Sequence, residues 1–119
     1  MNTIAVETLR AWLDAGEPVI VVDVRPMHER VEWAIPGSLH IDAYEALKAH
    51  DPAALASLDL SSRCPVVTVC GAGKTSRIAA EQLAARGLQV YSLEGGMKAW
   101  SLAWNTAEVP MPTGCATRL

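Results

Sequence analysis

Pro65-Val66-Val67-Thr68-Val69-Cys70-Gly71-Ala72-Gly73-Lys74-Thr75-Ser76 is the stretch that decides the fold. Its β-branched run, Val66 to Val69, predicts a strand covered on both faces and opened by Pro65. Gly71 and Gly73 permit the tight turn that follows, because side chains there would block the backbone conformations it needs. Thr75 or Ser76 can cap a helix over about 76–86, which ends at Arg86-Gly87 with a basic residue in its last turn. A buried strand that passes through a glycine turn into a helix is half of a βαβ unit.

The same pattern recurs on either side. Val19-Ile20-Val21-Val22-Asp23-Val24 is a second buried strand and Val90-Tyr91-Ser92-Leu93 a third. Val6, Leu9 and Leu13 at helical spacing, stopped by Gly16, predict an amphipathic helix over 5–15. Pro36-Gly37 marks a turn before a short strand at Leu39-His40-Ile41. Residues 43–58 read as one or two short helices interrupted at Asp51-Pro52. Gly95-Gly96 leads into a helix with Met97, Trp100 and Trp104 on one face. The expectation is an α/β fold: a central, mostly parallel sheet of four to five strands, with helices on both faces. It occupies residues 1–106 as one domain, and 107–119, with its Pro and Gly residues, is an extended or flexible tail. Ligands of open parallel sheets bind beyond the carboxyl ends of the strands, and Cys70 lies at such an end.

Composition narrows the function classes. Of 119 residues half are apolar, enough for one core, and the net charge is −3 with no block of lysines or arginines. That argues against a nucleic-acid footprint. No run of eighteen apolar residues is present, so no membrane span is expected. The start, Met1-Asn2-Thr3-Ile4, has no basic region followed by an apolar stretch, and a cytoplasmic location is the default expectation. The cysteines, Cys64, Cys70 and Cys115, are odd in number and lack zinc-ligand spacing. A disulfide framework is therefore not expected, and at least one thiol is free. Neither metal nor cofactor is called for. His28, His40 and His50 have no metal partner at suitable spacing.

Cys70 is the candidate nucleophile. A free cysteine with a pKa of about 8.5 is only ~3% thiolate at neutral pH. Half ionisation needs roughly 2 kcal/mol of stabilisation. A following helix N-terminus supplies ~0.3–2 kcal/mol, a glycine turn can aim backbone N–H groups inward as an anion nest, and Lys74 adds a positive charge. The plain alternative is a small buried hydrophobe closing a strand. Cys64, before a proline at a strand entrance, and Cys115, in the tail, have no such surroundings.

The arrangement resembles the rhodanese domains. Val21-Val22-Asp23-Val24-Arg25, then Glu29, then Ile35-Pro36-Gly37-Ser38 resembles their opening signature. The strand to Val69 with Cys70-Gly71-Ala72-Gly73-Lys74-Thr75-Ser76 resembles their active-site loop, and Leu93-Glu94-Gly95-Gly96-Met97-Lys98-Ala99-Trp100 their late glycine-glycine-tryptophan segment. The loop and the segment to Trp104 are also similar to rhodanese domains fused to metallo-β-lactamase-fold hydrolases or persulfide dioxygenases. The resemblance implies a sulfurtransferase working in two half-reactions. Cys70 takes a sulfur from a donor as a persulfide, and a thiol, cyanide or a partner protein's cysteine then removes it. It implies that the N–H groups of residues 71–75 hold the persulfide, with Thr75 and Ser76 hydroxyls assisting. Asp23 and Arg25 are read as a supporting ion pair, and Arg77 as a cation just past the loop. Two departures stand out: Trp33-Ala34 replaces the usual Gly-His pair, and Gly71-Ala72 offers no basic side chain where thiosulfate-selective members carry them. The latter brings small persulfide donors such as glutathione persulfide into consideration beside thiosulfate.

Other readings of the loop fail on spacing. A nucleotide-binding P-loop needs glycine where Thr68 stands. A cysteine phosphatase needs arginine where Ser76 stands, and a thioredoxin-type site needs cysteine where Gly73 stands. A non-catalytic sulfur-carrier or interaction module is the remaining alternative.

Overall fold

The computed structural model describes residues 2–60 and 63–103. Five strands, β1 (Asn2–Ile4), β2 (Ile20–Asp23), β3 (Leu39–His40), β4 (Val66–Val69) and β5 (Val90–Leu93), alternate with five helices: α1 (Val6–Asp14), α2 (Met27–Arg30), α3 (Tyr44–Lys48), α4 (Thr75–Ala84) and α5 (Gly96–Ala103). The strands form one sheet in the order β1-β5-β4-β2-β3. Every pairing is parallel, with Ile20 beside Val66 and Val66 beside Val90. β4 is therefore the central strand, and its carboxyl end delivers Cys70.

Alternation along the strands divides the core between the two faces. Val19, Val21, Val67 and Val69 pack with Leu9 and Leu13 of α1 and Met97 and Trp100 of α5. Ile20, Val22, Val24 and Val66 pack on the other face with Leu47 of α3 and Ala79, Ala80 and Leu83 of α4. All residues of β2 and β4 are buried, as a parallel sheet covered on both sides demands.

The structure differs from the sequence reading in several places. β1 and α2 were not anticipated. β1 is a three-residue edge strand with two exposed residues, and α2 is a single turn that buries nothing, so neither carries a periodic apolar signal. Between 43 and 58 the structure has one of the one or two short helices expected, α3, which ends before Asp51-Pro52, and residues 52–57 form turns tied down by Arg86, whose guanidinium donates to the carbonyls of Leu55 and Leu58. Neither Thr75 nor Ser76 caps α4; Lys74 is the N-cap residue and makes no side-chain cap. Both hydroxyls are directed to Cys70 instead, as described below. Cys64 is disulfide-bonded, which the sequence reading did not expect, while Cys70 is free, as the odd cysteine count requires of at least one thiol. The tail at 107–119, Trp104 and Cys115 lie outside the described residues. No helix among the described residues is long and apolar enough to cross a membrane.

Candidate active site

Cys70 follows β4 directly and is 3% exposed. The loop bends around its sulfur. The Gly73 N–H donates to Cys70 Sγ at 3.0 Å, and Sγ lies 3.4 Å from Ser76 Oγ. Gly73 has φ +98, and a side chain there would press on the backbone of Gly95 at 3.0 Å, so glycine is required. Thr75 Oγ1 is buried and, among the described residues, has no hydrogen-bond partner apart from the sulfur, which leaves its proton for an anionic Cys70. Burial pushes the Cys70 thiol up. The hydroxyls of Ser76 and Thr75 and the backbone N–H groups of Ser76 and Gly73 outweigh it, and hold the thiol below its ordinary value.

The late glycine pair explains why the loop keeps this shape. α5 starts against it: the N–H groups of Met97 and Lys98, in its first turn, donate to the carbonyls of Cys70 and Gly71 at 2.8 and 2.9 Å. With their carbonyls turned toward α5, the loop peptides are free to present N–H groups on the side of the sulfur. Gly96, at φ +59, makes the approach possible, because a Cβ there would overlap the Cys70 carbonyl and lie 2.8 Å from Gly71.

A cleft of about 700 Å³ opens in front of the sulfur. Arg25, Lys48, Lys74 and Lys98 line it, against a single carboxylate, Glu29. Its wall is braced by a buried charge network. Arg25 grips Asp23 with Nη2 to Oδ2 at 2.7 Å and Nε to Oδ1 at 2.9 Å, and donates to the Trp33 carbonyl. Arg30 adds contacts to Asp23 and Ser38. The contact at Trp33 is to its backbone carbonyl, which does not depend on the side chain that stands there.

The structure brings Cys70, Gly71, Ala72, Lys74 and Thr75 to the cleft. Gly73 and Ser76 lie behind, on the sulfur. Asp23 and Arg25 form their ion pair beside it. Arg77 is exposed and is not among the cleft's lining residues. Sequence reasoning missed Lys48 and Lys98, which restore the cationic character that Gly71-Ala72 withholds. It also missed Arg30 and Ser92. The lysines carried no signal, since only the tertiary fold carries α3 and α5 to the sulfur. Ser92 did: a serine within a largely buried strand is conspicuous.

With this geometry in place, comparison with known proteins gives a consistent result. The model of the rhodanese-like domain matches residues 5–103. The thiosulfate sulfurtransferase GlpE of Stutzerimonas stutzeri is 34% identical over 95 residues, 79% of either chain. The GlpE thiosulfate sulfurtransferase of Pseudomonas aeruginosa is 37% identical over 98 residues, covering 82% of this chain and 81% of its own. The crystal structure of a rhodanese-like domain protein from Staphylococcus aureus superposes with a TM-score of 0.71 at 26% identity, over 95% of this chain and 100% of the other.

Proposed function

The chain belongs to the rhodanese-like domain family, and from that premise we propose that it is a sulfurtransferase moving a sulfane sulfur from thiosulfate or a low-molecular-weight persulfide to a thiophilic acceptor. One observation carries this reading: Cys70 sits at the end of the central strand, its pKa lowered by hydroxyl and N–H donors, facing a cleft in which cations outnumber carboxylates.

In the first half-reaction the Cys70 thiolate attacks the outer sulfur of the donor. The new S–S bond forms as the donor's own sulfur–sulfur bond breaks, and its electron pair leaves with sulfite or a thiolate. The outer, anionic sulfur of the Cys70 persulfide then takes the place of the thiolate before the loop donors. In the second half-reaction cyanide, a thiol or a partner protein's thiol attacks that outer sulfur, and Cys70 leaves as thiolate. No external oxidant or reductant is needed. Lys74, Lys48 and Lys98 attract the anionic donor, and Arg25, Gly71 and Ala72 shape the cleft beside the sulfur.

Intact mass spectrometry after incubation with thiosulfate or glutathione persulfide tests this. The expected result is a mass gain of one sulfur, absent in Cys70→Ser and discharged by cyanide. If neither donor loads Cys70, the sulfurtransferase reading fails. If Cys70 loads but cyanide and small thiols leave the sulfur in place, the chain is a carrier that exchanges only with a partner protein.

A further inference from the structure

Two polar side chains interrupt the buried apolar strands at the centre of the sheet, and they are neighbours. Thr68 on β4 stands in register with Ser92 on β5, and both are fully enclosed, at 0% and 1% exposure. Neither is hydrogen-bonded to Cys70. Both converge on Ser76: Thr68 Oγ1 donates to the Ser76 carbonyl at 2.7 Å, and Ser92 Oγ lies 2.8 Å from Ser76 Oγ. Ser76 Oγ in turn is 3.4 Å from Cys70 Sγ. A line of three buried atoms therefore runs from the interior of β5 to the reacting sulfur.

Counting donors gives this line a direction. With Cys70 as thiolate, Ser92 O–H donates to Ser76 Oγ and Ser76 O–H donates to the sulfur, so every proton has an acceptor. With Cys70 as thiol, S–H donates to Ser76 Oγ and Ser76 O–H donates to Ser92 Oγ. The Ser92 proton is then left without an acceptor among the described residues. A buried donor without a partner costs free energy, and aligned donors polarise one another.

We propose that Ser92 is a positioning residue for Cys70: it orients the Ser76 hydroxyl as a donor to the anionic sulfur, with Thr68 fixing the Ser76 backbone beside it. The inference rests on Cys70 being the reactive sulfur, but not on which donor loads it.

The charged and titratable groups facing Cys70 across the cleft are Arg25 and Glu29, Tyr44, Lys48 and His50, Lys74 in the loop and Lys98 on α5. They act through space and are screened by salt, whereas an enclosed hydrogen bond is not.

The test is the rate of Cys70 alkylation by iodoacetamide against pH, read at Cys70 by peptide mass spectrometry in low and high salt. This readout needs no sulfur donor, so its failure is distinct from failure of the sulfurtransferase reading. Ser92→Ala is expected to slow alkylation near neutral pH by roughly threefold, half a pKa unit, and to move the profile to higher pH by the same amount in both salts. Ser92→Thr keeps the hydroxyl and is expected to stay near the parent, while Ser92→Val, matched to it in shape, is expected to shift like Ala. This second pair decides the matter if the alanine variant does not fold. Ser76→Ala should abolish the additional effect of removing the Ser92 hydroxyl. A superimposable profile for Ser92→Ala, equal shifts for Thr and Val, or additive effects with Ser76→Ala would each overturn the proposal.

Discussion

At the scale of single residues, the chemistry depends on how far Cys70 is kept anionic without being exposed. Burial alone would protonate it; the hydroxyls of Ser76 and Thr75 and the N–H groups of Ser76 and Gly73 reverse that. Because the folded pKa is lowered, the thiolate persists to lower pH than in a free cysteine and is lost only as pH falls through the lowered value. The sulfur-loading rate should accordingly rise with pH to a plateau, with its half-rise below that of an unperturbed thiol, which stopped-flow or alkylation profiles can measure. Thr75 separates reactivity from stability. Its Oγ1 has no other partner, so Thr75→Val should move that half-rise upward while changing unfolding free energy by no more than about 1 kcal/mol. The opposite holds for Asp23. It is 1% exposed and held by Arg25, itself 4% exposed. Removing one partner leaves a buried charge, so Asp23→Ala should cost about 3 kcal/mol or more by denaturant titration.

At the scale of elements, α5 is as much a part of the active site as the loop itself. Its first-turn N–H groups hold the Cys70 and Gly71 carbonyls, and Gly96 is the residue that lets it come close enough. Gly96→Ala would drive a methyl group into the Cys70 carbonyl from a backbone conformation that L residues rarely adopt. It should lower sulfur loading by at least about tenfold, since small displacements of the reacting group are costly. An equal substitution at Gly87, whose Cβ would meet nothing within 4 Å, should leave loading intact and report only the strain of its φ. Loading assays on the two variants check this. The same element shows why some of the molecule could be read in advance. β2 and β4 announced themselves through β-branched runs because both of their faces are buried, and β5 through a short apolar stretch that is buried except at Tyr91. Cys70, Gly73 and Thr75 were legible because a strand, a glycine turn and a helix start are contiguous in the chain. β1 and α2 bury too little to leave a pattern. The hydroxyls of Thr75 and Ser76 suited a cap by residue type, but the sulfur competes for them, and that competition exists only once the loop has closed.

At the scale of the whole molecule, charge is distributed against the average. The chain carries a net −3, yet the cleft before Cys70 is lined by Lys48, Lys74 and Lys98, with Glu29 the one lining carboxylate among the described residues and Arg25 already paired with Asp23. Two of these cations lie far from the loop in sequence, Lys48 at the end of α3 and Lys98 on α5. They meet because α3 and α5, on opposite faces of the sheet, both reach the carboxyl end of β4. A locally cationic cleft on an acidic protein draws anions to one place and repels them elsewhere, so its effect is on encounter and binding rather than on the sulfur–sulfur exchange. The separation can be tested. The double variant Lys48→Glu, Lys98→Glu should reduce kcat/KM for thiosulfate by roughly tenfold at low ionic strength, through KM rather than kcat. The deficit should shrink as salt screens the cleft, and the alkylation of Cys70 by neutral iodoacetamide should change much less than thiosulfate turnover. A donor with fewer charges should lose less than thiosulfate does in the same variant. Equal losses for donors of different charge would mean that the lysines act on the loop's structure and not on the field in front of it.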